Sequence, residues 1–217
     1  MSSRALSSEA VVKTLVLSLG ALWHVGLFVQ PATEGKPGRD PSKRVMDKKE
    51  IQSIILAHIL QMLQALMDVA LQELNITFAA TDLAQKISAT FRRMLSSLRI
   101  ASKWLKANVN TIGDHAISFH SSTESFWATY ANFATKLFTI FPPDELPVLK
   151  APLEEDLDMK GFSPLKRGMN EVLEAEGRAI GLNQVHPNDE QLMRIGDLLA
   201  DAQLIAEDEV CIGCSKL

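Results

Sequence analysis

Four carboxylates crowd a five-residue stretch: Glu154, Glu155, Asp156 and Asp158. Such a group could hold a hard divalent cation through oxygen ligands. It lacks the glycine-turn spacing of a calcium loop, and no histidine or cysteine stands beside it. It therefore reads as a solvated acidic connection. The other candidates for chemistry are thinner. His24, His58, His115, His120 and His186 are scattered, no serine occupies a G-x-S-x-G turn, and no glycine loop is built to cradle phosphate. Cys211 and Cys214 form one C-x-x-C with no second pair, which is half of a zinc site. No catalytic residue, metal or cofactor is expected, and the chain reads as a non-enzyme.

A second pattern is basic. Arg92, Arg99, Lys103 and Lys106 are spaced so that a helix brings them within about 60° of one another. Such a stripe can track the phosphates of RNA or single-stranded DNA, or dock an acidic partner. It can equally be an ordinary solvated face or an internal dock, because charge is unevenly divided along the chain. Residues 1–110 carry 14 Lys and Arg against 8 Asp and Glu; residues 111–217 carry 8 against 18. A positive half beside a negative half implies mutual attraction, or separate faces for partners of opposite sign.

The elements that must position these residues are helices. Strand alternation is nearly absent, and apolar residues recur at helical spacing throughout. A first helix is predicted from about Ser8 to Val29, followed by "QPATEGKPGRDPSKR", whose prolines and glycines mark a flexible connection. A long second helix opens at Asp47 as N-cap, with Gln61, Gln64, Asp68 and Gln72 as its polar stripe. The third, about Thr81 to Ala107, places Ile87, Phe91, Met94, Leu95, Leu98, Ala101 and Leu105 on one face.

The fourth helix is expected to begin at a Ser121/Glu124 capping box and to bring Phe126, Trp127, Tyr130, Phe133 and Phe138 as core anchors. "FPPDELP" must end it, because two prolines cannot continue a helix. The last helix starts near Asn188 as cap, with Leu192, Ile195, Leu198, Leu199, Ala202 and Ile205 as its apolar face. The fold class read from this pattern is all-α, with long antiparallel helical hairpins forming an α-solenoid-like array. The expected organisation is helix 1 over 1–30, a linker over 31–46, a helical-hairpin domain over 47–210 and a tail over 211–217.

At 217 residues, 47% hydrophobic and a net charge of −4, the composition is that of a soluble globular protein. Two cysteines exclude a disulfide framework. The stretch "VVKTLVLSLGALWHVGLFV" is interrupted by Lys13 and His24, so it reads as a helix buried on most of its circumference; no membrane partner is expected. The terminal Ser215-Lys216-Leu217 matches the peroxisomal address of a free C-terminus, which makes a peroxisome-targeted protein an alternative reading.

Four stretches taken in order carry a resemblance: "RRMLSSLRIASKWLKANVNTI", "STESFWATYANFATKLF", "LPVLKAPLEEDLDMKGFSPLKRGM" and "HPNDEQLMRIGDLLADAQLIAEDE". Their succession resembles the C-terminal helical-hairpin, DNA/RNA-binding region of the Est/SMG family, the telomerase-associated Est proteins and nonsense-mediated mRNA decay adaptors, in its fungal branch. The resemblance covers about residues 80–210. It implies an all-α adaptor of nucleus and cytoplasm that meets protein partners of the decay or telomerase machinery, and RNA or single-stranded DNA. It also implies that Gly161, Phe162, Pro164 and Leu165 fix a turn that returns the chain to the helical stack. The family's 14-3-3-like phosphopeptide reader lies upstream of this region and is not expected here, so no phosphate-binding arginines carry over. An alternative is a helical protein-interaction module without a nucleic-acid role.

Overall fold

A computed structural model describes residues 7–28, 47–76, 82–115, 120–149, 152–169 and 185–214. The expected linker over 31–46 and the Ser215-Lys216-Leu217 tripeptide lie outside these residues. The described chain is all-α. Its α-helices are α1 (Ser8–Phe28), α2 (Lys48–Asn75), α3 (Ala89–His115), α4 (His120–Ile140), the short α5 (Glu154–Asp158) and α6 (Pro187–Cys214). Three 3₁₀ turns interleave, at Leu83–Lys86, Pro143–Glu145 and Ser163–Leu165, and residues 166–169 are again helical.

Local chemistry explains most boundaries. Asp47 has extended backbone angles and its carboxylate accepts from Lys48 N–H, which starts α2. The third helix begins later than its apolar period suggests. Asp82 accepts from Ala84 N–H and closes a separate 3₁₀ turn. Ser88 then caps α3 by accepting from Phe91 N–H, while its hydroxyl donates to Glu73 Oε2. At the other end α3 runs to His115, well past Ala107. The side chain of Ser121 is outside the described residues, and α4 already starts at His120. In α6 the helix begins at Pro187, a favoured first position. The His186 ring accepts from Asn188 N–H, which leaves the Asn188 side chain to accept from Arg92 instead. That helix continues to Cys214, so the expected tail from 211 onward is helical to that point.

One hydrophobic core joins all five long helices. Besides its sequence neighbours, α1 packs on α3, α2 on α4, and α3 on α6. The apolar face expected of α3 is buried throughout, as is that of α6. Phe126 and Phe133 are core residues, and Trp127 and Tyr130 pack edge to face at 5.7 Å; Phe138 stays partly exposed.

The first helix departs from expectation. Among the described side chains of α1 only Leu15 and Leu19 are fully buried, whereas Leu17 is 73% and Leu27 is 55% exposed. Its apolar residues run all the way around, but α2, α3 and the Ser163–Leu165 turn together cover a single stripe of it. By length and hydropathy α1 and α2 could each cross a membrane; α2, with eight buried residues, is a core helix of this fold.

Candidate nucleic-acid interface

The basic stripe of α3 points inward. Arg99 is 1% and Lys103 3% exposed. The Arg99 guanidinium grips Asp156 with two parallel bonds, Nη1 to Oδ1 at 2.5 Å and Nη2 to Oδ2 at 3.0 Å. Its Nε donates to Asp197 at 2.6 Å, and Nη1 also reaches Glu155 at 3.3 Å. Lys103 Nζ sits between Asp197, at 2.7 Å, and Asp201, at 3.0 Å. Lys106 reaches Asp201 at 2.9 Å. Arg194 of α6 completes the cluster with two bonds to Glu155, at 2.9 and 2.8 Å. Four cations thus meet four carboxylates, and the rigid fork of each arginine matches a carboxylate on both oxygens.

This placement corrects the phosphate-tracking reading of the stripe. A cation can contact a phosphate only where solvent can reach it, and Arg99 and Lys103 are spent on carboxylates in the interior. Arg92 is half-buried and donates to Asn188 at 3.1 Å. The internal-dock alternative describes the geometry: the positive half of the chain holds the negative half through α3, α5 and α6.

The acidic stretch is corrected by the same contacts. Glu154 and Asp158 are solvated, but Glu155 is 5% exposed and Asp156 is fully buried. Asp156 is also the third residue of α5, and its Oδ2 accepts from Leu153 N–H at 2.8 Å. One carboxylate therefore caps a short helix and neutralises a buried arginine. Period and composition could not separate it from its solvated neighbours. The signal available in the sequence was the uneven division of charge, a positive first half beside a negative second half.

Electrostatics follow from burial. Desolvation opposes charge on Arg99, yet Asp156, Asp197 and Glu155 outweigh it and hold the guanidinium even more firmly protonated than usual. Burial would raise the Glu155 carboxyl, but the bonds and charge of Arg194, with the charge of Arg99, bring it below its ordinary value of 4.5. Asp197 is desolvated too, and Arg99 and Lys103 pull it below 3.8.

The turn residues return the chain to α3 and α1. Gly161 has φ +84°, a left-handed conformation that L side chains rarely adopt. Leu165 is buried in the core, and Phe162 packs against it from the edge, its ring 3.7 Å from where a Cβ on Gly20 would lie. The chain then passes so close to α3 that a Cβ on Gly168 would stand 2.2 Å from the Lys103 carbonyl oxygen. Only glycine permits that approach.

Among the described residues no cluster of three His, Cys, Asp or Glu is arranged to hold a metal. The side chains of Cys211, Cys214, His115 and His120 lie outside the described ones. Among the described residues the cations that face solvent are elsewhere: Lys13, Lys49, Arg93, Lys160, Lys166 and Arg167. Of these, Lys13 is paired with Glu9 at 2.6 Å.

Comparisons with curated proteins and with solved structures give no match. The profile of one family, the Est1 DNA/RNA binding domain, matches residues 4–168. The matched span takes in α1 and α2, which precede the residues of about 80–210 on which the resemblance was read, and it stops before α6. It covers more than half of the chain, and on that ground the protein belongs to the Est1 DNA/RNA binding domain family.

Proposed function

We propose that this protein is a non-enzymatic helical adaptor that binds RNA or single-stranded DNA and acts in nonsense-mediated mRNA decay, telomerase regulation or both, in nucleus and cytoplasm. The observation that carries this reading is the family match over residues 4–168. The geometry supports it in one respect and redirects it in another. A rigid core of long helices suits a scaffold that offers faces to partners. The electrostatic contact, however, falls to exposed cations such as Lys49, Arg93, Lys166 and Arg167, since the α3 stripe is closed.

Binding of labelled single-stranded RNA and DNA across a salt series tests the proposal. The expected result is an association constant that falls linearly with salt on logarithmic axes, with a slope set by the number of phosphates neutralised. Absence of binding even at low salt would overturn the nucleic-acid role. The second reading, a protein-interaction module without nucleic acid, would then stand, and the inward-facing stripe is the observation that favours it.

A further inference from the structure

A groove of about 280 Å³ opens between α1, α2 and the C-terminal part of α3. It lies at the small end of ligand pockets, the size class of one flat ring system rather than an oligomer. Every residue lining it falls between Leu19 and Pro164, inside the matched span. Trp23 and Trp104 both face it, from α1 and α3. Gln52, Asn108 and Thr111 supply the polar atoms, and no Asp or Glu lines it.

Each of these features suits a nucleobase. An indole offers a π-face on which any base stacks, and Trp23, 38% exposed, is reachable from solvent. Trp104, at 4%, forms part of the wall rather than the rim. Amide side chains carry both a donor and an acceptor, as the edge of a base requires. Asn108 commits one of its two Nδ2 protons to the Trp104 carbonyl at 2.8 Å, which holds the amide in place. Gly26 keeps the Gln52 amide close, since a Cβ there would lie 3.3 Å from Nε2.

The rim supplies charge. Lys48 Nζ donates to the Gly26 carbonyl at 2.6 Å, which holds a cation beside the groove. Lys166 and Arg167, both exposed, come two and three residues after Pro164 of its lining. A base in the groove would leave its flanking phosphates near positive side chains. In the cleft beside α5, where Glu9 is paired with Lys13 and Glu155 with Arg194, the exposed Glu154 and Asp158 would repel the same strand.

We propose that this groove binds one base of a single-stranded nucleic acid by stacking on Trp23, an inference that rests on the nucleic-acid reading above and assigns it a site. The test uses the full chain and two fluorescein-labelled strands of equal length, an oligouridylate and an abasic strand with the same phosphates. Anisotropy should show the base-bearing strand bound about tenfold or more tighter, the range of one stacking contact. Trp23→Ala, on an outward-facing helix position, should remove that preference and leave the abasic affinity unchanged, with Trp23→Phe restoring most of it. Circular dichroism verifies that both variants keep the fold.

Equal binding of both strands by the wild type, or a preference that survives Trp23→Ala, overturns the groove and leaves nucleic-acid binding by phosphate contact intact. Failure of the wild type to bind either strand overturns the nucleic-acid reading and the groove with it. Sedimentation with phosphatidylcholine–phosphatidylserine vesicles that is lost in Trp23→Ala, without binding of either strand, would reassign this face to lipid and overturn the proposal.

Discussion

The α3–α6 seam and the outer face of α1 invert one another. The seam is built of arginine, lysine, aspartate and glutamate, and it is closed to solvent. The outer face of α1 sets Leu17, Ala21, Trp23 and Leu27 beside Glu9, Lys13, Thr14 and His24, and its large apolar side chains are open to solvent. Residue type alone would assign them the other way round. The difference teaches that burial follows the availability of a partner surface. Charges go inside when each finds an opposite charge and a geometry that satisfies its lone pairs or protons. Hydrocarbon stays outside when the fold supplies too little surface to cover it.

The seam carries its charges on a hydrophobic foundation. Leu192, Met193, Ile195, Leu198, Leu199 and Ile205 of α6 are all buried, and at about 1.5–3 kcal/mol each their burial contributes on the order of 10 kcal/mol. The ion cluster joins this helix to α3 and α5. Because α6 lies beyond the matched span 4–168, the family's region and the folding unit have different limits here.

The contrast is broken most severely by removing one member of the seam. Arg99→Ala leaves Asp156 buried without its bidentate partner, and a loss of about 3–5 kcal/mol is expected in urea unfolding. A loss below 1 kcal/mol would mean that solvent reaches the cluster. For the same reason, replacing Arg99 and Lys103 together by Glu should unfold the protein, so a failure of that variant to bind nucleic acid would report the fold rather than the contact.

Acid acts on the seam through Glu155 and Asp197. Both are held below their ordinary values of 4.5 and 3.8, so the unfolded chain binds more protons than the folded one as pH falls through that region. The stabilisation is therefore fully present above the ordinary carboxylate range and is lost as pH falls through the depressed folded values. Thermal melts from pH 6 downward should show a falling midpoint that steepens below about pH 4. In Glu155→Gln that pH dependence should be shallower, from a lower starting stability.

Gly168→Ala probes the backbone approach on which the seam depends. The new methyl would overlap the Lys103 carbonyl, and forcing the two segments apart should cost about 1–3 kcal/mol. A neutral result would show that residues 166–169 can shift without loosening α3. The smallest effect belongs to the other side of the comparison. Leu17→Gln, at a position 73% exposed, should change stability by less than about 0.5 kcal/mol. A larger loss in the same unfolding assay would show that this face of α1 is covered in solution.

Helical content was legible because apolar spacing is a local property. The faces of α3 and α6, the Asp47 cap and the stop at Pro142 and Pro143 all follow from residues a few positions apart. Boundaries were less legible where a side chain had two possible partners. Ser88 caps α3 and meets Glu73 of α2, and Asn188 serves Arg92 rather than its own helix.

The sequence by itself determined an all-α chain, the positions of its long helices and a charge asymmetry between its halves. Only the tertiary structure decided what the charges do. Arg99 and Asp156 are 57 positions apart, and Lys103 and Asp201 are 98 apart. Whether a basic stripe faces phosphate or carboxylate depends on which distant helix is packed against it. Helical periodicity records the side on which a residue lies, and the neighbour on that side is set by the fold of the whole chain.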